Sequence, residues 1–210
     1  MEINIKSYLK KAKRKIIFRK YEAELFNKDF TIISNNCWGG HVYQDLELNY
    51  KSPFVGMFLY SRCYLKLLKN LEYYLRQELK FTTSSIYEEA NEKRKKTYYP
   101  IAMLDDIELH MLHYKNEEEA LAKWNRRKSR MNMDNMFVKM NATQKIDVET
   151  IKKFDDLPYR NKVIFTEKLY PEIESAIHIE NMNTNKEMNH YMKYFDVVKW
   201  INNGKKETKR

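Results

Sequence analysis

Apolar positions along the chain alternate between the period of a helix and that of a strand. Ile5, Tyr8, Leu9, Ala12, Ile16 and Ile17 recur near i, i+3, i+4 and i+7 with Lys and Arg between them, which predicts a basic amphipathic helix within residues 1–28. Phe30 to Ser34 is a β-branched run that suits a buried strand. It stops at Asn35-Asn36-Cys37-Trp38-Gly39-Gly40, where Asn tolerates unusual backbone angles and Gly allows close approach, so a loop is expected. His41 to Leu48 reads as helical or turn-like, and Tyr50 to Phe54 as a loop around Pro53. From Val55 to Leu79 the apolar spacing predicts one long helix, or two joined near Arg62-Cys63.

Phe81 to Ser84 is expected as a strand, and residues 88–97 as a polar, charged excursion. From Ile107 the pattern alternates, with Ile107, Leu109 and Met111 on one side and Glu108 and His110 on the other. Asn116 is placed to cap a helix that opens on three Glu and closes on Arg and Lys, the charge order a helix dipole favours. Residues 137–140, 148–154 and 162–166 read as strand, helix, strand, a βαβ unit. A strand over 176–179 and a helix over 186–201 complete the chain. The expected fold is α/β, a mainly parallel sheet flanked by helices with room for two small α/β subdomains, and a basic helix added at the N-terminus. The corresponding division is 1–28, 29–198 and 199–210, with no internal repeat and no linker.

Charge changes this picture by where it sits. The net +10 is accounted for by +6 over residues 1–28 and +4 over residues 199–210, which leaves the body neutral on balance. A nucleic-acid domain carries its cationic patch on the folded surface among aromatics, so a nucleic-acid partner is disfavoured. Basic ends instead suit an anionic membrane surface. Two Cys fit a reducing compartment, and neither a long uncharged apolar stretch nor a secretory leader is seen, so a cytoplasmic protein is expected, peripheral at the inner face of the membrane.

Three constellations carry candidate chemistry. Asn35, Asn36, Trp38, Gly39 and Gly40 follow a strand, where α/β sheets bind ligands: the amides would bond phosphate or sugar hydroxyls, and Trp38 would stack. The bland alternative is a tight turn. Cys37 in the same loop is given no catalytic role. Asp106, Glu108, His110 and His113 place carboxylates beside imidazoles, as general acid–base chemistry requires, or else form a polar strand end. Their spacing matches no zinc pattern; a divalent cation at Asp106 or Glu108 is admitted, but no metal ligand is assigned. Arg126, Arg127 and Arg130 would grip a diphosphate, or form a solvated face. Neither a dinucleotide fingerprint nor a P-loop occurs.

Several blocks in fixed order carry a family resemblance: Phe30–Gly40 (FTIISNNCWGG), Ser52–Gly56 (SPFVG), the Pro100–Tyr114 stretch with LDDIELHMLHY, Lys123–Arg127 (KWNRR) and Lys162–Thr166 (KVIFT). Over roughly residues 28–180 the chain resembles a bacterial family of domains of unknown function labelled exopolysaccharide or capsular polysaccharide biosynthesis proteins. The resemblance implies a two-part α/β fold and a place in surface-glycan assembly, and it transfers no catalytic residue. Joined to the residues above, it suggests a glycosyltransferase using a nucleotide-sugar donor and a glycan acceptor. The alternatives are an acyl- or acetyltransferase with His110 or His113 as base, and a non-catalytic glycan-binding or assembly protein. Geometry discriminates: if Asn35, Asn36, Asp106, His110 and Arg126 fail to converge on one pocket, the binding reading gains.

Overall fold

A computed structural model describes residues 18–142 and 146–204. The basic stretch 1–17 and the tail 205–210 lie outside the described residues, so most of the expected N-terminal helix does too; its described part, 18–24, is helical (α1). The fold is α/β. A four-stranded parallel sheet has the order β1-β5-β6-β7, formed by Thr31–Ser34, Met136–Asn141, Lys162–Thr166 and Ala176–His178. A three-stranded antiparallel sheet comprises β2 (Lys80–Thr82), β3 (Ile101–Leu104) and β4 (Ile107–His110).

Period-two alternation splits the core of the parallel sheet into two halves. Ile33, Val138, Met140 and Ile164 point to one face, with the aliphatic face of α3 (Ser61–Lys69) and α4 (Leu71–Arg76), Trp124 of α6 (Glu117–Lys128) and Phe154 of α7 (Val148–Asp155). Ile32, Phe137, Val163 and Phe165 point to the other, with α2 (Trp38–Asp45) and the C-terminal α9 (Val197–Asn203). The predicted βαβ unit is β5-α7-β6, with Asp147 accepting the Thr150 N–H as its N-cap.

Local chemistry explains where the observed elements depart from those expected. Helix does not extend back to Val55. The turn at Pro53–Gly56, with Gly56 at φ 80°, leads into an extended segment whose Phe58 bonds His110 on β4 through both backbone groups, each at 2.9 Å. The break between helices falls at Asn70 (φ −137°), not at Arg62-Cys63. Residues 88–96 form a helix, α5 (Glu88–Lys96), whose one buried side chain, Ala90, leaves no apolar stripe to read; Glu at its start and Lys at its end match the helix dipole. The strand expected over 81–84 is β2, and β3 joins β4 through the two-residue turn Asp105-Asp106, with Asp105 at φ 52°. The helix expected over 186–201 is three pieces: α8 (Thr184–Asn189), a 3₁₀ turn at Tyr191–Lys193, and α9, capped by Asp196. The loop expected over Asn35–Gly40 ends at Cys37, because Trp38 already opens α2.

Candidate functional site

The carboxyl ends of β1 and β5 meet the second sheet, and polar side chains fasten the junction. Asn35 accepts the Leu59 N–H on its carbonyl and the Asn141 N–H on its side-chain oxygen, each at 2.9 Å. This holds both parallel strands and the extended segment to one point. Asn36 Oδ1 accepts from Ser34 Oγ at 3.0 Å and from the Trp38 N–H at 3.2 Å, closing a turn just ahead of α2. Gly39 and Gly40 sit in the first turn of that helix rather than in a phosphate-cradling loop. A Cβ at either would stand 2.9 Å from Ile32 Cγ2 or Val55 Cγ1, so their role is close packing of α2 against β1 and the 52–56 turn.

Two cavities of about 330 and 440 Å³ open at this edge; Cys37, His41 and His113 line both, so they adjoin as the two arms of a cleft. Its first arm is walled by the amides of Asn35, Asn36 and Asn141, with Glu187 of α8. The second arm is cationic and aromatic, built from Tyr50, Tyr114, Lys123 and Arg127. Arg127 is buried: Nη1 donates to the Val55 carbonyl at 3.0 Å and to Tyr114 Oη at 2.6 Å, and the guanidinium lies 4.7 Å over the Tyr50 ring. Among the described residues no carboxylate forms an ion pair with it, whereas Lys123 is paired with Glu119 at 2.6 Å. Burial, seconded by the Glu187 carboxylate and opposed by Lys139, pushes the Cys37 thiol up to about 11. The thiol is therefore protonated near neutrality and is not a ready nucleophile.

Below the first arm lies a wholly buried ion pair, Lys139 on β5 with Glu187. Asn36 Nδ2 donates to Glu187 Oε1 at 2.8 Å, and Asn141 Nδ2 donates to Oε2. Burial pushes the pKa of Lys139 below the usual lysine value, and Glu187 pulls it back. The ammonium also lies 5.0 Å over the Phe165 ring and 5.5 Å over that of Trp38.

Of the residues singled out in the sequence, Asn35, Asn36, Gly40, His113 and Arg127 come together in the cleft. Trp38 is wholly buried, with ring contacts to Phe165 and Tyr191, so it offers no stacking face to a ligand. Glu108 and His110 share a face of β4 as alternation requires, but both are buried among Phe58, Tyr60, Tyr87 and Tyr99. Ser85 Oγ and the Ile86 N–H (2.8 Å) donate to Glu108, while His110 Nε2 lies 2.8 Å from Glu108 Oε1 but off the line of a hydrogen bond. Burial would raise the Glu108 pKa; the contacts with His110, Ser85 and Ile86 outweigh it and hold the carboxyl below its ordinary value. Asp106 sits at the exposed β3–β4 turn, bonded to Lys66 and Tyr74. Arg126 and Arg130 are exposed and line neither arm. Asn35, Asn36, Asp106, His110 and Arg126 do not converge.

Residues the sequence reading passed over are His41, Tyr50, Tyr114, Lys123, Lys139, Asn141 and Glu187. Lys139 had a signal: a lysine interrupting the apolar run Phe137 to Met140 must be paired if the strand is central. Among the described residues no group of three or more His, Cys, Asp and Glu is placed to hold a metal ion, and no helix is long and apolar enough to cross a membrane.

Fold and cleft together define an α/β protein with a cleft of mixed polar and apolar lining, cationic at one end, at the carboxyl edge of a parallel sheet, where such folds place ligands. The chain belongs to the family described as Domain of unknown function (DUF1919), which matches residues 8–203. It is also 37% identical over 209 residues to a protein of Haemophilus influenzae described as uncharacterized, covering 94% of this chain and 96% of that one.

Proposed function

We propose that the cleft binds a phosphorylated sugar, as a nucleotide-sugar or glycosyl phosphate, and that the protein serves bacterial surface-polysaccharide assembly at the cytoplasmic face of the membrane. One observation carries the binding: the buried Arg127 guanidinium, with no carboxylate partner among the described residues, shares a cleft with the amides of Asn35, Asn36 and Asn141. Such a cleft suits an anion at one end and hydroxyl groups at the other. The glycan context rests on the ordered sequence blocks, four of which contribute to the cleft walls, through Asn35–Cys37, Val55-Gly56, Leu112–Tyr114, and Lys123 with Arg127. Because Asp106, His110 and Arg126 stand away from Asn35 and Asn36, a binding or assembly role is favoured over the transferase site read from sequence.

A transferase, glycosyl or acyl, is the second reading, favoured by the imidazole-bearing His113 where the two arms join. Thermal denaturation with a panel of UDP-, GDP- and CDP-sugars, with Mg²⁺ or Mn²⁺, tests the binding. At least one should raise the melting temperature, and Arg127→Met should abolish the rise. No shift across the panel would overturn the proposal. If a ligand is found, turnover lost in His113→Ala with binding retained would promote the second reading.

A further inference from the structure

Helix α8 docks in an unusual way. Its one buried side chain is a carboxylate, Glu187, while Met188 is only partly buried. Helices ordinarily dock through an apolar stripe, and a buried ion pair adds little net stability over apolar packing. The chain on either side is anchored by apolar groups, Ile179 and Met182 before it and Tyr191 after it, all buried. What receives Glu187 is three convergent donors: Lys139 Nζ, Asn36 Nδ2 and Asn141 Nδ2. They sit at the carboxyl ends of β1 and β5, and Glu187 itself forms part of the wall of the first arm.

One lysine and two amides converging on a single carboxylate have the make-up of an oxyanion site. We infer that Lys139, Asn36 and Asn141 form a second anion-binding subsite, filled in this structure by the chain's own Glu187, and that a phosphate or carboxylate on the ligand displaces Glu187 and releases α8. The inference rests on the phosphorylated-sugar reading of the cleft and deepens it. It assigns one anionic group to Arg127 and a second to Lys139, so the ligand class becomes a sugar carrying two separated acidic groups, such as a nucleotide-linked uronic acid. Between the anchors, α8 is the latch that exchange of anions opens.

Inorganic phosphate, titrated at constant ionic strength into the full chain and into Glu187→Gln, tests the subsite. Removing the internal competitor should tighten phosphate binding by about tenfold or more, and Lys139→Met in that background should abolish the gain whereas Arg127→Met should not. In the wild type, phosphate should speed hydrogen exchange of the amides of residues 184–189. Equal affinity in wild type and Glu187→Gln, no binding by either, or slower exchange in 184–189 would overturn the inference. If Glu187→Gln does not fold, the wild-type exchange experiment decides alone. Phosphate binding that depends on Arg127 but not on Lys139 would sink this subsite and leave the cleft reading standing.

Discussion

Cys37 shows how neighbouring charges set the chemistry of a single residue. Its thiol lies in the wall common to both arms, and burial comes first among the causes that push it up to about 11. Glu187 adds to that rise and Lys139 opposes it. Because the folded value lies above the unfolded one, the stability that comes from keeping the thiol neutral is complete below the ordinary value of 9.0 and is lost as pH rises towards about 11. Two results are expected. Alkylation of Cys37 by iodoacetamide at neutral pH should be much slower than in the urea-unfolded chain, and Glu187→Gln should speed it. Urea unfolding followed across the same pH interval should lose less stability in Cys37→Ser than in the wild type. Fast alkylation of native Cys37, unchanged by Glu187→Gln, would contradict this account.

Among the elements, β5 and α8 are joined by an ion pair buried on both sides, Lys139 with Glu187. Removing one member of a buried pair strands the other, which costs about 3–5 kcal/mol, whereas replacing both by apolar groups is often close to neutral. Lys139→Met alone should therefore destabilise by that amount in urea denaturation, and Lys139→Met with Glu187→Leu should recover most of it. The recovery will be incomplete, because Asn36 and Asn141 lose their acceptor. Additive losses would mean that the two side chains do not act as a pair. The same elements mark how far the sequence could be read. Strands β1, β5 and β6 were legible because each is a short β-branched or aromatic run buried on both faces. The acid-to-base helix α6 was legible from its cap and its charges. Helix α8 was not, since Thr184 to Asn189 has no apolar period and its docking group is charged. The misread helix at Val55 arose where Phe58 and Leu59 continue the spacing of α3 but are claimed by β4 and Asn35 instead. The part of the candidate site on and after β1 was therefore visible, together with His113 and Arg127. The rest depends on contacts between residues distant in the chain, such as Asn36 with Glu187, 151 positions apart, and Lys139 with Glu187, 48 apart.

At the scale of the whole molecule, the two ends of the chain are stitched together. Phe26 and Asn27 donate their backbone N–H groups to Asn202 Oδ1 at 3.1 and 3.2 Å, Asn27 Nδ2 donates to the Ile201 carbonyl at 2.7 Å, and Asn202 Nδ2 donates to the Glu24 carbonyl at 2.9 Å. Leu25 and Asn27 are buried, so packing of the body starts just before residue 28, the boundary that charge alone suggested. The basic stretch 1–17, at +5, and the tail 205–210, at +3, lie outside the described residues and carry most of the net +10. Each Lys or Arg held near an anionic surface contributes about 1 kcal/mol, and the total falls with salt. Deleting residues 1–17 should therefore sharply reduce binding to phosphatidylserine-containing vesicles in a sedimentation assay at low salt, while leaving the melting temperature unchanged. Deleting residues 1–27 should lower the melting temperature as well, because it removes Leu25 and the bonds to Asn202. Undiminished vesicle binding after the shorter deletion would defeat the membrane role. Binding that persists unchanged in high salt would show that charge is not its source.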